Sequence, residues 1–426
     1  MVDVKKIRLP LRLSSAAFER LVDAIGDVVG REAHPAKVVM DLAGTEYADL
    51  LELMCLIPAA RYLEETAGAS VLLHFSDLAD LTRKFKRLAR SDALSALSRK
   101  RRLSARMKRL VGFLRYCDYW RLRDGLLANQ IGNDLSVSSS APGGAGTRVR
   151  RGGRYIFLPM MFVDSRADLD RVYEEVRGTI ASYLAGIPDS VFAGAKPVRG
   201  PDDYRMDVVD SLARHVAYEV TDNILEHAYV DAPYGVTTGI VAMRHIGRPE
   251  NARERVRRVL SAPKWLHEFV EEHLDTDLLE VCVSDGGAGL SATLAQSFRR
   301  RHRSTTCSEP AVIEWAFSEE SSTRSDSPDE QKGMGLHWAQ RHVVDCWRGC
   351  LYLRTGHTRW VDHPFLATRR PLVEPGLTLF PGTQYRLLLP LRENWVTTAG
   401  RIRELGQQQL ALGMGAERSC DRPEGM

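Results

Sequence analysis

Apolar positions near the start of the chain form two short runs separated by a longer amphipathic stretch. Lys37 to Leu42 and Ala69 to Phe75 have the compact apolar pattern of buried strands. Ala48 to Thr66, between them, has the spacing of an amphipathic helix. Together these segments predict a strand–helix–strand unit within a small α/β domain over residues 1–131.

A basic segment follows this unit. From Arg83 to Arg123 the chain carries fifteen Lys or Arg against Asp92 and Asp118, a local balance of +13 in a chain whose net charge is +4. Apolar residues recur at helical spacing within it, so we predict helices. The segment could bind nucleic acid by neutralising phosphates, but we favour the alternative interpretation, a solvated helix face.

A stretch rich in Ser and Gly separates this domain from the rest of the chain. Residues 132–153 have the composition of a flexible linker or an exposed hairpin. We predict a second α/β domain over 154–395 and a C-terminal tail over 396–426. The second domain would hold helices at about 166–184 and 204–229. Runs that predict a mixed sheet are Tyr155–Phe162, Val236–Ile246, Leu278–Ser284, Cys350–Arg354 and Gln384–Leu389.

The second of these helices carries polar residues on one face. Glu219, Asn223 and His227 are four positions apart, which stacks their side chains along the helix. A neighbouring apolar stripe consists of Val209, Leu212, Val216, Val220 and Ile224. One edge of the helix can therefore pack on a sheet while the adjacent edge presents a carboxylate and an amide to a cleft. The same spacing also occurs on many solvated helices, so this pattern alone is weak.

A carboxylate stands where a predicted strand ends. Asp285 directly follows Leu278–Ser284, and Gly287 and Gly289 come next. The glycines let the backbone turn and approach a ligand, and the carboxylate can accept a hydrogen bond from an exocyclic amine. An ordinary glycine-rich turn is the alternative interpretation.

A second glycine segment precedes a helix. Lys332, Gly333 and Gly335 lead into Leu336, the first apolar residue of the helical pattern, so free N–H groups there would attract an anion. The polar stretch Ser318 to Gln331 before it predicts a mobile loop containing Arg324. Arg324 could contact a phosphate or simply be an exposed loop arginine.

In their order along the chain, these motifs resemble those of the GHKL, or Bergerat-fold, ATPases. The match covers about Asp202 to Leu389 and includes Gly382 and Thr383, which open a late strand. It is closest to anti-sigma-factor serine kinases and to the ATP domains of histidine kinases. The resemblance implies a Bergerat α/β sandwich, in which helices cover a mixed sheet, and it implies ATP and Mg²⁺ as ligands.

The resemblance also implies a role for each matching residue. Asn223 would coordinate the Mg²⁺ that bridges the phosphates, and Glu219 would orient or deprotonate the attacking water. Asp285 would bind the adenine amino group with support from Thr383. The other nucleotide contacts would be Gly287 and Gly289 near the base, and Arg324, Lys332, Gly333, Gly335 and Leu336 near the phosphates.

The N-terminal stretch Val39 to Phe75 resembles a STAS domain, the fold of anti-sigma-factor antagonists, although an unrelated small α/β domain is the alternative. Where that family has its phosphoacceptor hydroxyl, this chain has Asp49-Leu50-Leu51-Glu52, so we expect no phosphorylation there. By resemblance, the domain would be a docking or dimerising module. A protein partner and a homodimer are therefore both expected possibilities.

Three functions follow from these features. The first is an ATP- and Mg-dependent regulator with slow hydrolysis, the second a protein-serine kinase, and the third a nucleotide sensor without catalysis that could associate with nucleic acid. Charged residues interrupt the apolar pattern of the first residues, so no signal-peptide core is present. We expect a soluble cytoplasmic protein without membrane contact, because no apolar run approaches the roughly 20 residues that span a bilayer.

Overall fold

The computed structural model describes residues 3–10, 12–41, 47–74, 146–150, 153–163, 165–192, 200–225, 239–249, 251–318, 335–391 and 395–420. The predicted basic segment lies outside these residues, as do His227, Arg324, Lys332 and Gly333. The described part is a mixed α/β structure. In this part of the chain, no helix is long and apolar enough to cross a membrane.

The elements are numbered in chain order. The strands are β1 (Val4–Arg8), β2 (Arg12–Leu13), β3 (Lys37–Asp41), β4 (Tyr47–Ala48), β5 (Ser70–His74), β6 (Gly146–Arg150), β7 (Gly153–Val163), β8 (Gly239–Ile246), β9 (Asp277–Ser284), β10 (Cys350–Gly356), β11 (Thr358–Asp362), β12 (Leu372–Glu374) and β13 (Phe380–Leu391).

The first helices are α1 (Ser15–Val29), α2 (Leu50–Met54), α3 (Leu56–Ala67) and α4 (Arg166–Leu184). Helix α5 runs without interruption through Pro201–Asp210, the π-helical stretch Ser211–Tyr218 and Glu219–Asn223. The next are α6 (Ala252–Ser261), α7 (His267–Glu272), α8 (Leu290–His302) and α9 (Glu309–Ala316). Helix α10 is Gly335–Arg341 with a π-helical continuation, His342–Cys346, and α11 is Trp395–Cys420.

The described residues between 3 and 74 form what we call the N-terminal unit. Strands β1, β3 and β5 pair in parallel with β3 in the centre, which confirms the predicted strand–helix–strand arrangement. The predicted single helix Ala48–Thr66 is divided at Cys55 into α2 and α3. Pro58 has no N–H to donate to the carbonyl four residues earlier, which explains a break at this place.

The large sheet contains eight strands in the order β12-β11-β10-β13-β9-β8-β7-β6. The prediction of a mixed sheet was wrong, because every neighbouring pair in it is antiparallel. Strands β6 and β7 are only two residues apart in the chain, which is too short for the crossover that parallel pairing needs. Strand β6 is also an edge of this sheet, so the predicted linker ends before residue 146.

The segment predicted as a C-terminal tail is instead helix α11. Its inward face buries Trp395, Ala399, Ile402 and Leu405 in the same core as the helices of the large sheet. These residues recur at intervals of three and four, the spacing of an amphipathic helix. Only two large aliphatic residues, Ile402 and Leu405, belong to this stripe, so the pattern is weak in the sequence alone.

Both faces of the large sheet are covered. On β9, Leu279 and Val281 belong to the core under helices α4, α5 and α10, whereas Leu278 and Cys282 belong to a core shared with the N-terminal unit. Alternate residues of a strand point to opposite faces, so a strand between two layers is buried along its length. The helices of the N-terminal unit therefore cover the second face of the large sheet, together with residues of α7.

Candidate functional site

Helix α5 presents its polar edge beside the sheet as the sequence predicted. The apolar stripe from Val209 to Ile224 is buried in the core, and Glu219 and Asn223 are partly exposed. The side-chain nitrogen of Asn223 donates to the backbone carbonyl of Glu219 at 2.6 Å. This bond holds the amide in place and does not use its oxygen, which is the atom that binds hard cations.

Asp285 lies at the end of β9, where the backbone of β13 fixes it. Its N–H donates to the carbonyl of Thr383 at 3.0 Å, and its Oδ1 accepts from the N–H of Gly287 at 2.8 Å. Gly382 precedes Thr383 with φ of 74°, and a Cβ there would overlap the carbonyl of Asp285. Only glycine permits this close crossing of the two strand ends.

The Asp285 carboxyl group has an unusual proton affinity. Burial raises its pKa to about 7, although the backbone N–H groups of Gly287 and Thr383 oppose the rise by stabilising the anion. Only 3% of the residue is exposed. A buried carboxyl group that titrates near neutrality at a strand end is a candidate for ligand recognition.

A small hydrogen-bond network joins the start of α8 to two strands. The N–H of Leu290 lies 2.9 Å from the Thr355 hydroxyl and 3.1 Å from that of Thr383, and it donates to both. The Thr355 hydroxyl donates in turn to the carbonyl of Gly382 at 3.2 Å. Gly289, with φ of 86°, lets α8 begin this close, because a Cβ would stand 2.8 Å from the Thr355 hydroxyl.

These parts surround one pocket. It is partly open to solvent and is lined by Asn223, Ile224, Asp285, Gly289, Leu290, Thr293, Thr383 and Tyr385. The lining combines apolar side chains with a carboxyl group, an amide and two threonine hydroxyls. Such a lining suits a flat, mostly apolar ring system that carries a few polar groups.

The N-terminus of α10 meets the polar edge of α5 next to this pocket. A Cβ on Gly335 would stand 2.6 Å from Oε2 of Glu219 and 3.8 Å from Nδ2 of Asn223. Gly335 therefore lets a helix start, with its N–H groups, lie against these two side chains. The N–H groups of the helix start favour an anion, and the carboxylate of Glu219 favours a cation bound to that anion.

A buried polar contact fixes α10 against α5. His342 and His215 stack with ring centroids 4.3 Å apart, and the Ser211 hydroxyl lies 2.9 Å from Nδ1 of His342. The indole N–H of Trp347 donates to the same hydroxyl at 3.0 Å. These contacts lie in the π-helical stretches of both helices, where the backbone departs from regular α geometry.

The structure brings together most of the predicted site residues that it describes. Asn223, Asp285, Gly289 and Thr383 line the pocket, Glu219 and Gly335 meet beside Asn223, and Gly287 binds the Asp285 carboxyl group. Leu336 is buried in the core under the helices. The remaining predicted contacts Arg324, Lys332 and Gly333 lie outside the described residues.

Sequence reasoning missed Thr355 and Tyr385. Thr355 enters the site only because β10 pairs with β13 in a register that sets it opposite Thr383. Tyr385 lies two residues after Thr383 on the same face of β13, so the strand period could have indicated it. No comparable signal in the sequence marks Thr355.

Within the described ranges, no group of three or more His, Cys, Asp or Glu side chains is arranged to hold a metal ion. A cation at Asn223 would therefore take most of its ligands from a bound molecule or from water. Comparison with protein-family models, with curated proteins and with solved structures finds no match to this chain.

Proposed function

We propose that this chain binds ATP with Mg²⁺, with the adenine in the pocket beside Asp285 and the phosphates between Asn223 and the start of α10. The observation that supports it most is the convergence of Asn223, Asp285 and Thr383, from three distant parts of the sequence, on one pocket. The meeting of Gly335 with Glu219 extends that pocket towards a helix N-terminus.

Asp285 is suited to select adenine. An ionised carboxylate is purely an acceptor, so it can accept from the exocyclic amino group of adenine. Guanine has a carbonyl at that ring position, and two acceptors facing each other in a buried site would leave both without a donor. Thr293 and Thr383 add hydroxyl groups to the same lining.

Asn223 is the residue that would hold Mg²⁺ together with the phosphates. Mg²⁺ prefers six oxygen ligands and usually keeps several waters, so one protein oxygen is sufficient. The ion would neutralise phosphate charge between the side chain of Asn223 and the N-terminus of α10.

Glu219 supports a slow hydrolytic activity as part of the proposal. It lies beside Gly335, where the terminal phosphate would be expected, and a carboxylate there can orient or deprotonate a water molecule. The proposal also assigns a Bergerat-like sandwich to the large sheet and its helices, with an antiparallel sheet in place of the expected mixed one. It assigns a STAS-like fold to the N-terminal unit. The whole chain would then act as a nucleotide-dependent regulator.

The binding proposal is tested by isothermal titration of Mg-ATP into the wild-type chain and the Asn223→Ala variant, with and without Mg²⁺. We expect Mg²⁺ to strengthen ATP binding by the wild type, and this gain to be lost in the variant. Thr221→Ser, in the same turn of α5 but buried and bonded to the Ala217 carbonyl, is the matched control. Equal Mg²⁺ dependence in wild type and Asn223→Ala would contradict the assignment.

The hydrolysis part has its own test. Glu219→Gln keeps the size of the side chain but removes the base, so we expect ATP binding to persist while phosphate release falls about 10²-fold or more. Phosphate release is measured with saturating Mg-ATP in both proteins. Equal rates of phosphate release from the two proteins would refute a catalytic role for Glu219 but would not contradict the ATP-binding proposal.

A further inference from the structure

A buried charge cluster joins the N-terminal unit to the large sheet. Arg386 on β13 is 4% exposed and forms ion pairs with Glu52 of α2 and, at 2.9 Å, with Glu280 of β9. Its Nη1 also donates to the Ser15 hydroxyl of α1 at 3.1 Å, and that hydroxyl donates to Glu52 at 2.5 Å. Burial raises the pKa of Glu52, and Arg386 opposes the rise.

Further pairs lie on both sides of Arg386 in the sheet, on β10 and β11 and on β8. Arg359 and Arg354 contact Glu19 of α1 at 2.6 Å and 3.4 Å, and Arg244 lies 3.6 Å from Asp49. In each of these pairs the sheet supplies the arginine and the N-terminal unit supplies the carboxylate. The two surfaces are therefore electrostatically complementary.

The strands that carry this interface also carry the candidate site. On β13, Thr383 and Tyr385 line the pocket, while Arg386 faces the N-terminal unit. Gln384 lies between Thr383 and Tyr385. Its side-chain nitrogen donates to the Pro381 carbonyl at 2.9 Å and to the Asp285 carbonyl at 3.5 Å. On β13, Arg386 is therefore three residues from Thr383, whose carbonyl fixes the backbone of Asp285.

The same relation holds on β9. Ser284 directly precedes Asp285, and its hydroxyl lies 3.9 Å from the thiol of Cys55, where α2 gives way to α3. Glu280 is on the same face of the strand as Ser284, four residues earlier. Contacts from the N-terminal unit therefore reach both strand ends that build the pocket.

An interface of this composition can open at lower cost than a purely apolar one. Buried ions lose hydration when the unit docks and regain it when the unit separates, which offsets much of their mutual attraction. The shared apolar core opposes separation. The free energy of docking is therefore set by the shared apolar core together with the net contribution of the buried ion pairs.

We propose that docking of the N-terminal unit and nucleotide binding are coupled, so that the docked unit holds the strand ends of β9 and β13 in the geometry that binds adenine. This inference rests on the proposed function for the identity of the ligand, but not for the coupling of the two regions. Because coupling is reciprocal, nucleotide must also favour the docked unit.

Native-state thiol labelling of the wild type tests the effect of nucleotide on docking. Cys55, Cys282 and Cys350 are buried in the core shared with the N-terminal unit, whereas Cys346 is buried in the core on the other face of the sheet. Labelling rates are measured for each thiol by mass spectrometry with and without Mg-ATP. We expect the first three to slow about tenfold, a typical coupling, and Cys346 to change clearly less.

A charge-reversal variant tests the effect of docking on the pocket without any nucleotide. Glu52→Arg places a second cation against Arg386, and Glu65→Arg makes the same change at an exposed position of α3. Hydrogen exchange is measured at the backbone amides of Asp285, Gly287 and Leu290. We expect Glu52→Arg to speed exchange there, and to weaken Mg-ATP binding about tenfold, with Glu65→Arg close to the wild type in both.

The outcomes separate the two proposals. Faster amide exchange in Glu52→Arg with no ATP binding by the wild type would keep the coupling and reject ATP as the ligand. ATP binding by the wild type with unchanged pocket amides in Glu52→Arg would reject the coupling alone. If Glu52→Arg fails to fold, the thiol labelling of the wild type still tests the coupling. Equal slowing of Cys55 and Cys346 by Mg-ATP would mean that the N-terminal unit does not separate from the sheet on its own, which would reject the coupling.

Discussion

At the scale of single residues, Asp285 combines burial with a ligand-facing position. Its backbone is fixed by Thr383 and its Oδ1 by Gly287, and the residue lines the pocket. Its pKa of about 7 is raised by burial. The folded protein therefore keeps this proton to higher pH than the unfolded chain does, and Asp285 lowers stability progressively as the pH rises from about 4 to about 7.

Nucleotide binding should lower the pKa of Asp285. A donor from adenine stabilises the carboxylate, so binding releases a proton and Mg-ATP affinity rises about tenfold between about pH 6 and pH 8. Titrations in buffers with different ionisation enthalpies measure the proton released. The Asp285→Asn variant has no such proton, so its pH dependence measures the contribution of the ATP phosphates. An equal pH dependence in this variant would exclude Asp285 from the site.

The sequence reveals most of these residues because each has a local signature. A carboxylate followed by glycines after an apolar run indicates Asp285, and an i, i+4 pair on an amphipathic helix indicates Glu219 and Asn223. Thr355 has no local signature, since its role comes from the pairing of β10 with β13. Residues that depend on strand register cannot be found before the register is known.

At the scale of elements, α5 and α10 set the distance between the pocket and the helix start at Gly335, the regions proposed for adenine and phosphate. Their buried contact through His215 and His342 lies away from the pocket, yet it fixes Gly335 against Glu219. Burial lowers the pKa of His215 to about 4, with a smaller effect from Arg214, and it lowers the pKa of His342 as well. The pair is neutral in the folded protein at ordinary pH.

This pair should make the protein sensitive to acid. The unfolded chain takes up protons near pH 6.5 and the folded chain only near 4, so His215 alone reduces stability by about 2 kcal/mol between about pH 8 and pH 5. Urea unfolding at both pH values measures the loss. The His215→Gln variant should lose less stability than the wild type on acidification. The His302→Gln variant, changed at an exposed position, should lose as much stability as the wild type. The same loss in all three would contradict the assignment.

Element positions were more predictable than their arrangement. The predicted runs at Leu278–Ser284 and Arg166–Leu184 lie on β9 and α4 with nearly the same bounds, because period and apolar run length depend on local sequence. The antiparallel pairing throughout the large sheet was missed. Strand direction depends on how connections pack over the sheet, which the local pattern does not encode.

At the scale of the whole molecule, the large sheet separates two cores. Helices cover one face, and the N-terminal unit packs with α7 on the other. The sequence could not show this, because the carboxylates of α1 and α2 and the arginines of the sheet are far apart along the chain. The candidate site lies at the strand ends, on the face that α5 and α8 cover.

The central claim is that strand ends and helices from distant parts of the chain build one adenine-selective site. Parallel calorimetric titrations of Mg-ATP and Mg-GTP into the wild type and Asp285→Asn test it most directly. We expect the wild type to bind ATP at least about tenfold more tightly than GTP, and Asp285→Asn to lose this preference, since an amide can also donate to guanine. Equal affinities of the wild type for the two nucleotides, or an unchanged preference in Asp285→Asn, would contradict the account.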